Sequence, residues 1–133
     1  MAIVIVVILA ALAAALVSFG NTQQLTSAQD IRSAKAWSAA RTGNEWGLYQ
    51  ALRNNSCVAS TLLNLTVDTG FWVTVTCDLR TYNEGESAPG TPRVVRVYRI
   101  EATACPSAAG CPDNAQATSA GYIERRRQAI ATN

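Results

Sequence analysis

The sequence has no histidine and little charge, with 11 Lys and Arg against 9 Asp and Glu in 133 residues, which gives a net charge of +2. Without imidazole, histidine-dependent catalysis and histidine metal sites are excluded. The small net charge also excludes a strong electrostatic field that would attract a polyanion. The length fits one domain. The few charges are unevenly spread, because no charged side chain precedes Asp30.

The chain starts with an unbroken apolar run, AIVIVVILAALAAALV, at residues 2–17. The run reaches the roughly 20 residues that span a hydrocarbon core only when Ser18 and Phe19 are included. A helix that is apolar on all sides must be buried in lipid or in other protein. No Lys or Arg precedes the run, which argues against a cleaved secretory signal. Two alternatives stay open, a plain membrane anchor and a helix that leaves the membrane to pack against copies of itself.

Beyond residue 20, apolar residues recur at helical spacing with charged residues between them, which predicts an amphipathic continuation of the same helix. We expect this helix to end near Arg53, because the polar segment Asn54-Asn55-Ser56 follows. Residues 1–53 are thus predicted to form one long helix, apolar over 1–20 and amphipathic over 21–53, whose first half projects.

A weak point is expected in this helix at Gly20, Asn21 and Thr22. Glycine costs about 1 kcal/mol relative to alanine inside a helix, and Asn and Thr are also poor helix formers. We therefore expect local melting or a bend at these three residues.

After residue 55 the apolar period changes to two, and β-branched and aromatic residues occur in short runs, which predicts strands. Asp68-Thr69-Gly70 indicates a hairpin turn. Residues 82–92 are rich in turn formers and predict a loop. The expected strands cover residues 58–66, 71–77, 93–104 and 121–130.

The predicted fold class is α+β, a long N-terminal helix whose apolar half projects and whose second half packs on a small antiparallel sheet. Residues 54–133 would form the sheet head and make one globular domain with residues 24–53. We expect the aromatic residues of the helix and sheet to pack between these two layers: Trp37, Trp46, Tyr49 and Trp72.

The four cysteines, in a short chain with an export-type apolar segment, favour an oxidising compartment. Cys57 precedes the first strand and Cys77 ends the second, so an antiparallel hairpin brings them together. Cys105 and Cys111 bracket a short loop, PSAAG. The predicted disulfides are therefore Cys57–Cys77 and Cys105–Cys111. A metal site or reactive thiol pair is the alternative, but the sequence has no CxxC spacing and no histidine.

No sequence motif indicates catalysis. There is no phosphate-binding or dinucleotide-binding glycine pattern, and Glu45 within GNEWG is best interpreted as a helix-surface carboxylate. The acidic residues near loops, Asp68, Asp78, Glu84 and Glu86, form no recognisable pair. We therefore predict a protein that is not an enzyme and that holds no cofactor and no metal.

Two runs of arginine are candidates for a nucleic-acid interface. Strand alternation places Arg93 and Arg99 on one face and Arg96 on the other, and it splits residues 125–127 in the same way. A solvated sheet face, or ion pairs with Glu101 and Glu124, is favoured over a phosphate-binding surface. Nucleic acid is thus the disfavoured partner.

Two segments, Asn54-Asn55-Ser56 and Asn64-Leu65-Thr66, match the acceptor pattern for N-linked glycosylation. The pattern has meaning only in a cell that carries out this modification.

An apolar N-terminal helix, an amphipathic continuation and a small cysteine-containing sheet together resemble the layout of type IV pilins and pseudopilins. The apolar run with SAARTGNEWGLYQ at residues 38–50, FWVTVTC at 71–77 and YRIEATAC at 98–105 is similar to the MshP-type pilin-like proteins of mannose-sensitive haemagglutinin pilus systems. Together these segments span most of the chain.

The resemblance implies a bacterial structural protein whose helix polymerises into a type IV pilus-like extracellular filament, a protein fibril with a role in cell adhesion. It implies cleavage of a leader just before Met1, an inner-membrane stage with a periplasmic head, and a final location at the cell surface. Its partners would be copies of itself and other pilins, with the surface or host ligand unknown. The assembly helix would use Met1, Ala2, Ile3, Val4, Ile5, Val6, Val7, Ile8, Leu9, Leu12, Leu16, Val17 and Phe19.

The sequence departs from the pilin pattern at two positions, with Met1 where pilins have a methylated Phe and Ile5 where they have Glu. Because that Glu pairs with a neighbouring N-terminal amine, its absence favours a second interpretation, a minor pilin or pseudopilin that primes or caps the filament. A third interpretation is a membrane-tethered periplasmic binding module that never polymerises.

Overall fold

The computed structural model describes residues 2–133, and within this range it leaves the side chains of residues 2, 14–23 and 25 undescribed. The elements in chain order are α1 (Ala2–Arg53), β1 (Ser60–Leu65), β2 (Phe71–Ala88), β3 (Thr91–Cys105) and β4 (Arg125–Thr132). The chain divides into two compact units, Met1–Arg32 and Ser33–Asn133. The division falls within α1.

The predicted fold class, with a long apolar helix as in a type IV pilin, is wrong. Among the residues that the structure describes, no helix is long and apolar enough to cross a membrane. The apolar run gives way to polar residues soon after residue 17, before it reaches the length of a span. The helical residues 26–53 are amphipathic, and in the second unit strand residues outnumber helical ones.

The four strands form one antiparallel sheet in the order β1-β2-β3-β4, so each strand pairs with its neighbour in the sequence. β1 pairs with the first part of β2, from Leu65 opposite Phe71 to Ser60 opposite Thr76. The hairpin turn between them is closed by Gly70, whose φ of 83° is readily adopted only by glycine. This turn is the one that Asp68-Thr69-Gly70 predicts.

The loop predicted over residues 82–92 is wrong, because β2 and β3 continue through it as a two-stranded ribbon. β2 extends to Ala88, and β3 begins again at Thr91. The ladder shifts register between Asn83 and Glu86 and again before Ala88, which lets the turn-forming residues fit within a bulged hairpin. We call residues 82–95 the ribbon, because the two-stranded part begins at the pair of Tyr82 and Val95. Neither β1 nor β4 pairs with them.

The last strand also differs from the prediction, because β4 covers Arg125–Thr132 and not residues 121–130. Gly121 has a φ of 80° and lies before the strand. The hydroxyl of Tyr122 is held by Glu124, so this segment completes the preceding loop.

The core of the second unit lies between the helix and the inner face of the sheet. Its helix side is made of alanines, and two glycines allow a close approach: a Cβ added to Gly43 would lie 2.5 Å from Val73 Cγ1, and one added to Gly47 would lie 2.6 Å from Ile100 Cγ2. Asn44, buried between them, donates from Nδ2 to the main-chain carbonyl of Ile100 at 3.3 Å. The fully buried core residues are Ala36, Ala39, Ala40, Ala51, Val73, Tyr98, Ile100, Ala102, Ala104 and Cys105.

The expectation that all four aromatic residues pack between helix and sheet is wrong for three of them. Trp37 is 45% exposed and Tyr49 is 57% exposed. Trp46 packs against the core and is half-buried, and Trp72 is half-buried on the opposite face of β2 from Phe71. Alanines fill the helix side of the closest helix–sheet contact, whereas the ring of Trp37 lies 4.9 Å from the guanidinium of Arg127 on β4.

Candidate assembly surface

The N-terminal unit carries a set of large apolar side chains that are exposed. Exposure ranges from 54% for Ile8 to 79% for Ile3, and every described side chain from 3 to 13 is exposed. Exposed apolar surface of this extent marks a protein–protein or membrane contact. We call it the N-terminal apolar surface, made of Ile3, Val4, Ile5, Val6, Val7, Ile8, Leu9 and Leu12.

Small residues are interspersed in this surface. Ala10, Ala11 and Ala13 lie among the large side chains and are also exposed. In a membrane the hydrophobic effect does not drive helices together, because lipid tails are as apolar as the side chains. Association then depends on van der Waals contact, and small side chains increase this contact by letting a second helix come close. The surface therefore has the composition for helix-to-helix packing.

Several predicted assembly residues lie outside the described part of the chain. Met1 is not described, and the side chains of Ala2, Leu16, Val17 and Phe19 are not described either. The predicted melting or bend falls on Gly20, Asn21 and Thr22, whose side chains are likewise outside the described residues. It stays a prediction.

Two disulfides tie the loops of the second unit to the sheet. Cys57 bonds to Cys77 with a Cα–Cα distance of 5.3 Å, and Cys105 bonds to Cys111 with 5.6 Å. These are the pairs that the sequence predicts. The first bond is half-buried, whereas Cys105 is 0% exposed and Cys111 6% exposed.

The loop between β3 and β4 is held by a small polar network. Ser107 Oγ donates to Asp113 Oδ2 at 2.6 Å, and this hydrogen bond lowers the pKa of the Asp113 carboxyl below its ordinary value. The Tyr122 hydroxyl accepts from the Asp113 amide at 3.1 Å and donates to Glu124 Oε2 at 2.8 Å. Burial raises the pKa of Tyr122, so the phenol stays protonated and can donate. The network fixes the loop's conformation.

The acidic residues considered as catalytic candidates do not come together. Glu45 pairs with Arg41 at 2.8 Å, Asp78 with Arg80 at 3.3 Å, and Glu86 accepts from the Gly90 amide at 3.1 Å. In the part of the chain that is described, no three potential metal ligands are grouped.

The arginines of β4 are occupied by partners within the chain. Arg125 donates to Ser33 Oγ at 3.1 Å, Arg127 lies 4.9 Å from the centre of the Trp37 ring, and Arg126 pairs with Glu101 at 3.3 Å. Among the described residues no ion pair joins Glu124 to an arginine, and Glu124 Oε2 accepts from the Tyr122 hydroxyl. Sequence reasoning missed the Trp37 contact, because it gave no indication that Trp37 lies beside β4.

The arginines of β3 do not form a stripe either. Arg93 lies 4.0 Å from Glu84, and the strand alternation separates Arg96 from Arg99 on opposite faces. No continuous basic surface for a phosphate backbone results from these residues.

One cleft of about 190 Å³ opens beside the Cys57–Cys77 bond, in the second unit. Trp46, Gln50, Thr61 and Val75 are among its lining residues, and none of the lining residues is ionisable at neutral pH. No residue that could serve as a general acid or base therefore lines this cleft.

Comparison with protein-family models, with curated proteins and with solved structures finds no match to this chain. The pilin-like family is therefore an inference from the residues alone.

Proposed function

We propose that this chain is a structural, non-enzymatic subunit that polymerises through its N-terminal apolar surface into a type IV pilus-like extracellular filament. The exposure of Ile3 to Leu12 is the observation that carries the proposal. Large apolar side chains exposed around a helix need lipid or other protein to cover them.

The charge pattern supports packing between copies. Because no charged side chain precedes Asp30, a bundle of these segments contains no charged side chain to desolvate. Ala10, Ala11 and Ala13 allow close contacts between helices, and these van der Waals contacts stabilise the association. Before assembly the same residues would lie in the inner membrane, with the head in the periplasm, and after assembly the filament would extend from the bacterial surface.

The second unit suits an exposed filament surface. Its two disulfides are typical of exported proteins and resist unfolding outside the cell. The ribbon and the loop between β3 and β4 place exposed polar residues where they contact solvent, other cells or a host surface.

A minor, priming or capping role is the second candidate, and Ile5 favours it. Ile5 is uncharged and 57% exposed, so an N-terminal amine packed nearby finds no carboxylate on this side chain. Burying an unpaired amine is costly. A carboxylate from a different pilin would remove that cost and would make this chain one member of a mixed filament.

Electron cryo-microscopy of surface filaments sheared from cells producing the full chain tests the proposal. We expect density for this chain to repeat along the shaft with residues 3–13 inside. A shaft made of another pilin, with this chain at one end, would assign the minor role. Recovery of the chain in the membrane fraction alone would contradict the filament and support a tethered module.

A matched pair of substitutions links assembly to the proposed surface. Val7→Arg places a charge in the N-terminal apolar surface, where Val7 is 62% exposed, and Val67→Arg places one on the second unit, where Val67 is 95% exposed. We expect Val7→Arg to abolish filaments and Val67→Arg to leave them intact. Equal filament yield from both variants would contradict the proposal.

A further inference from the structure

The two N-glycosylation patterns of the sequence have different local structures. Asn64 lies on β1, an edge strand of the sheet, and is exposed. Asn54 is also exposed and directly follows the last residue of α1. Exposure alone therefore does not distinguish the two asparagines, but their hydrogen bonds do.

At Asn64 the side-chain oxygen is the hydrogen-bonded atom. Asn64 Oδ1 accepts from the Thr66 hydroxyl at 2.6 Å and from the Thr66 amide at 3.0 Å. This is an Asx turn closed by the hydroxyl of the third pattern residue. Within the described residues, Asn64 Nδ2 has no hydrogen-bond partner.

At Asn54 the side-chain nitrogen is the hydrogen-bonded atom. Asn54 Nδ2 donates to Gln50 Oε1 at 2.8 Å, and the amide of Ser56 donates to the main-chain carbonyl of Gln50 at 2.9 Å. The Ser56 amide is therefore bonded to Gln50, whereas the Thr66 amide is bonded to the side-chain oxygen of Asn64. One of the two N–H groups of the nitrogen that would have to react is therefore held by Gln50, and Asn54 Oδ1 lacks the Asx turn that polarises the Asn64 amide.

We propose that Asn64, and not Asn54, is an acceptor for an N-linked glycan. Two hydrogen bonds to Oδ1 polarise the amide carbonyl and make the Nδ2 protons easier to remove. The transferred sugar comes from a glycosyl diphosphate: a bond forms between Asn64 Nδ2 and sugar C1, and the C1–O bond breaks. The diphosphate leaves with the electron pair, and Nδ2 loses one proton to a base of the transferase.

The surroundings of Asn64 fit this modification. Its strand is at the sheet edge, followed by Val67, which is 95% exposed. The disulfides favour an exported compartment. A glycan on an exposed asparagine lies in solvent and increases the solubility of the protein. The inference does not depend on filament assembly.

The test uses the full disulfide-bonded chain with two donor systems. One contains an oligosaccharyltransferase and a lipid diphosphate-linked oligosaccharide, and the other a nucleotide diphosphate-sugar and a soluble N-glycosyltransferase. Modification in either system supports the proposal and identifies the donor. No modification in both, while a peptide acceptor is modified, would overturn it.

Asn54 and Asn64 lie in one tryptic peptide between Arg53 and Arg80, so the mass of that peptide does not show which asparagine carries the glycan. Variants are therefore used to assign the site. We expect the intact mass to increase by one glycan in the wild-type chain, in Asn54→Gln and in Thr66→Ser. Asn64→Gln and Thr66→Ala should gain none. A glycan retained by Asn64→Gln would overturn the assignment, and the absence of alkylatable thiols in every variant checks that the chain is folded.

Discussion

Gly47 of α1 lies directly against Ile100 of β3, so that a methyl group placed on Gly47 would come within 2.6 Å of Ile100 Cγ2 and 2.9 Å of Val75 Cγ1. Both neighbours are buried and cannot move aside cheaply. The small residue at this position therefore sets the distance between the helix and the sheet.

The first prediction is that Gly47→Ala destabilises the second unit. Alanine favours the helix by about 1 kcal/mol, but overpacking a well-packed core costs about 1–3 kcal/mol. Because two core side chains would have to shift, we expect overpacking to prevail, with a net loss of up to about 2 kcal/mol. Urea unfolding measures this loss. Ser38→Ala, at an exposed position of the same helix, is the control and should change stability by less than about 0.5 kcal/mol.

The sequence predicts the local features of the sheet better than its extent. The disulfide pairs and the turn ending at Gly70 follow from spacing and turn chemistry over a few residues. The ribbon could not be predicted in this way, because Gly85 and Gly90 resemble loop residues until pairing with β3 fixes them in a bulged hairpin. Strand pairing over this distance outweighs local propensity.

The composition of the helix was also misleading. The apolar run suggests a pilin-like helix, but the described residues contain no apolar helix of membrane-spanning length. Hydropathy cannot reveal that Trp37 lies beside Arg127 and stays 45% exposed, because this contact depends on where β4 packs. The candidate assembly surface was found by composition, whereas Asn64 was distinguished only by hydrogen-bond geometry.

The second prediction concerns the order in which the disulfides are reduced. Thiol–disulfide exchange requires access of a thiolate to sulfur. Cys57 and Cys77 are half-buried, whereas Cys105 is 0% exposed and Cys111 6% exposed. We expect dithiothreitol under native conditions to reduce Cys57–Cys77 first, as measured by alkylation and peptide mass. First labelling of Cys105 and Cys111 would contradict this accessibility argument, and labelling in urea is the control for equal intrinsic reactivity.

The third prediction is a change in acid sensitivity on Ser107→Ala. The hydrogen bond from Ser107 lowers the pKa of Asp113 below its ordinary value of 3.8, so the ionised carboxylate favours the folded state. This stabilisation is present above pH 3.8 and is lost as the pH falls through the lower, folded-state pKa. Removing the hydroxyl should raise the pKa of Asp113 and reduce the stability difference between pH about 7 and pH about 2.5.

Carboxyl NMR titration measures the pKa of Asp113 directly, and urea unfolding at the two pH values measures the linked stability. Ser119→Ala, at an exposed position in the same loop, is the matched control and should leave both unchanged. An unaltered Asp113 titration in Ser107→Ala would refute the assigned role of the hydrogen bond.

The fourth prediction concerns the ribbon, which is two strands wide where the rest of the sheet has a third strand beside it. Tyr82 and Val94 are 52% and 54% exposed, so few apolar contacts hold the ribbon to the core. An isolated two-stranded hairpin is marginally stable in water. Hydrogen exchange in the monomer should therefore be faster for the cross-strand amides of residues 82–95 than for those of β2 and β3 beside the helix.

The comparison of monomer and assembled protein makes this prediction informative. If the ribbon stays at the solvent-exposed surface of the proposed filament, its exchange should remain fast after assembly, while amides near residues 3–13 become protected. Protection of the ribbon upon assembly would place it between subunits. Equal protection of ribbon and central sheet in the monomer would show that two paired strands suffice for stability here, against the general behaviour of hairpins.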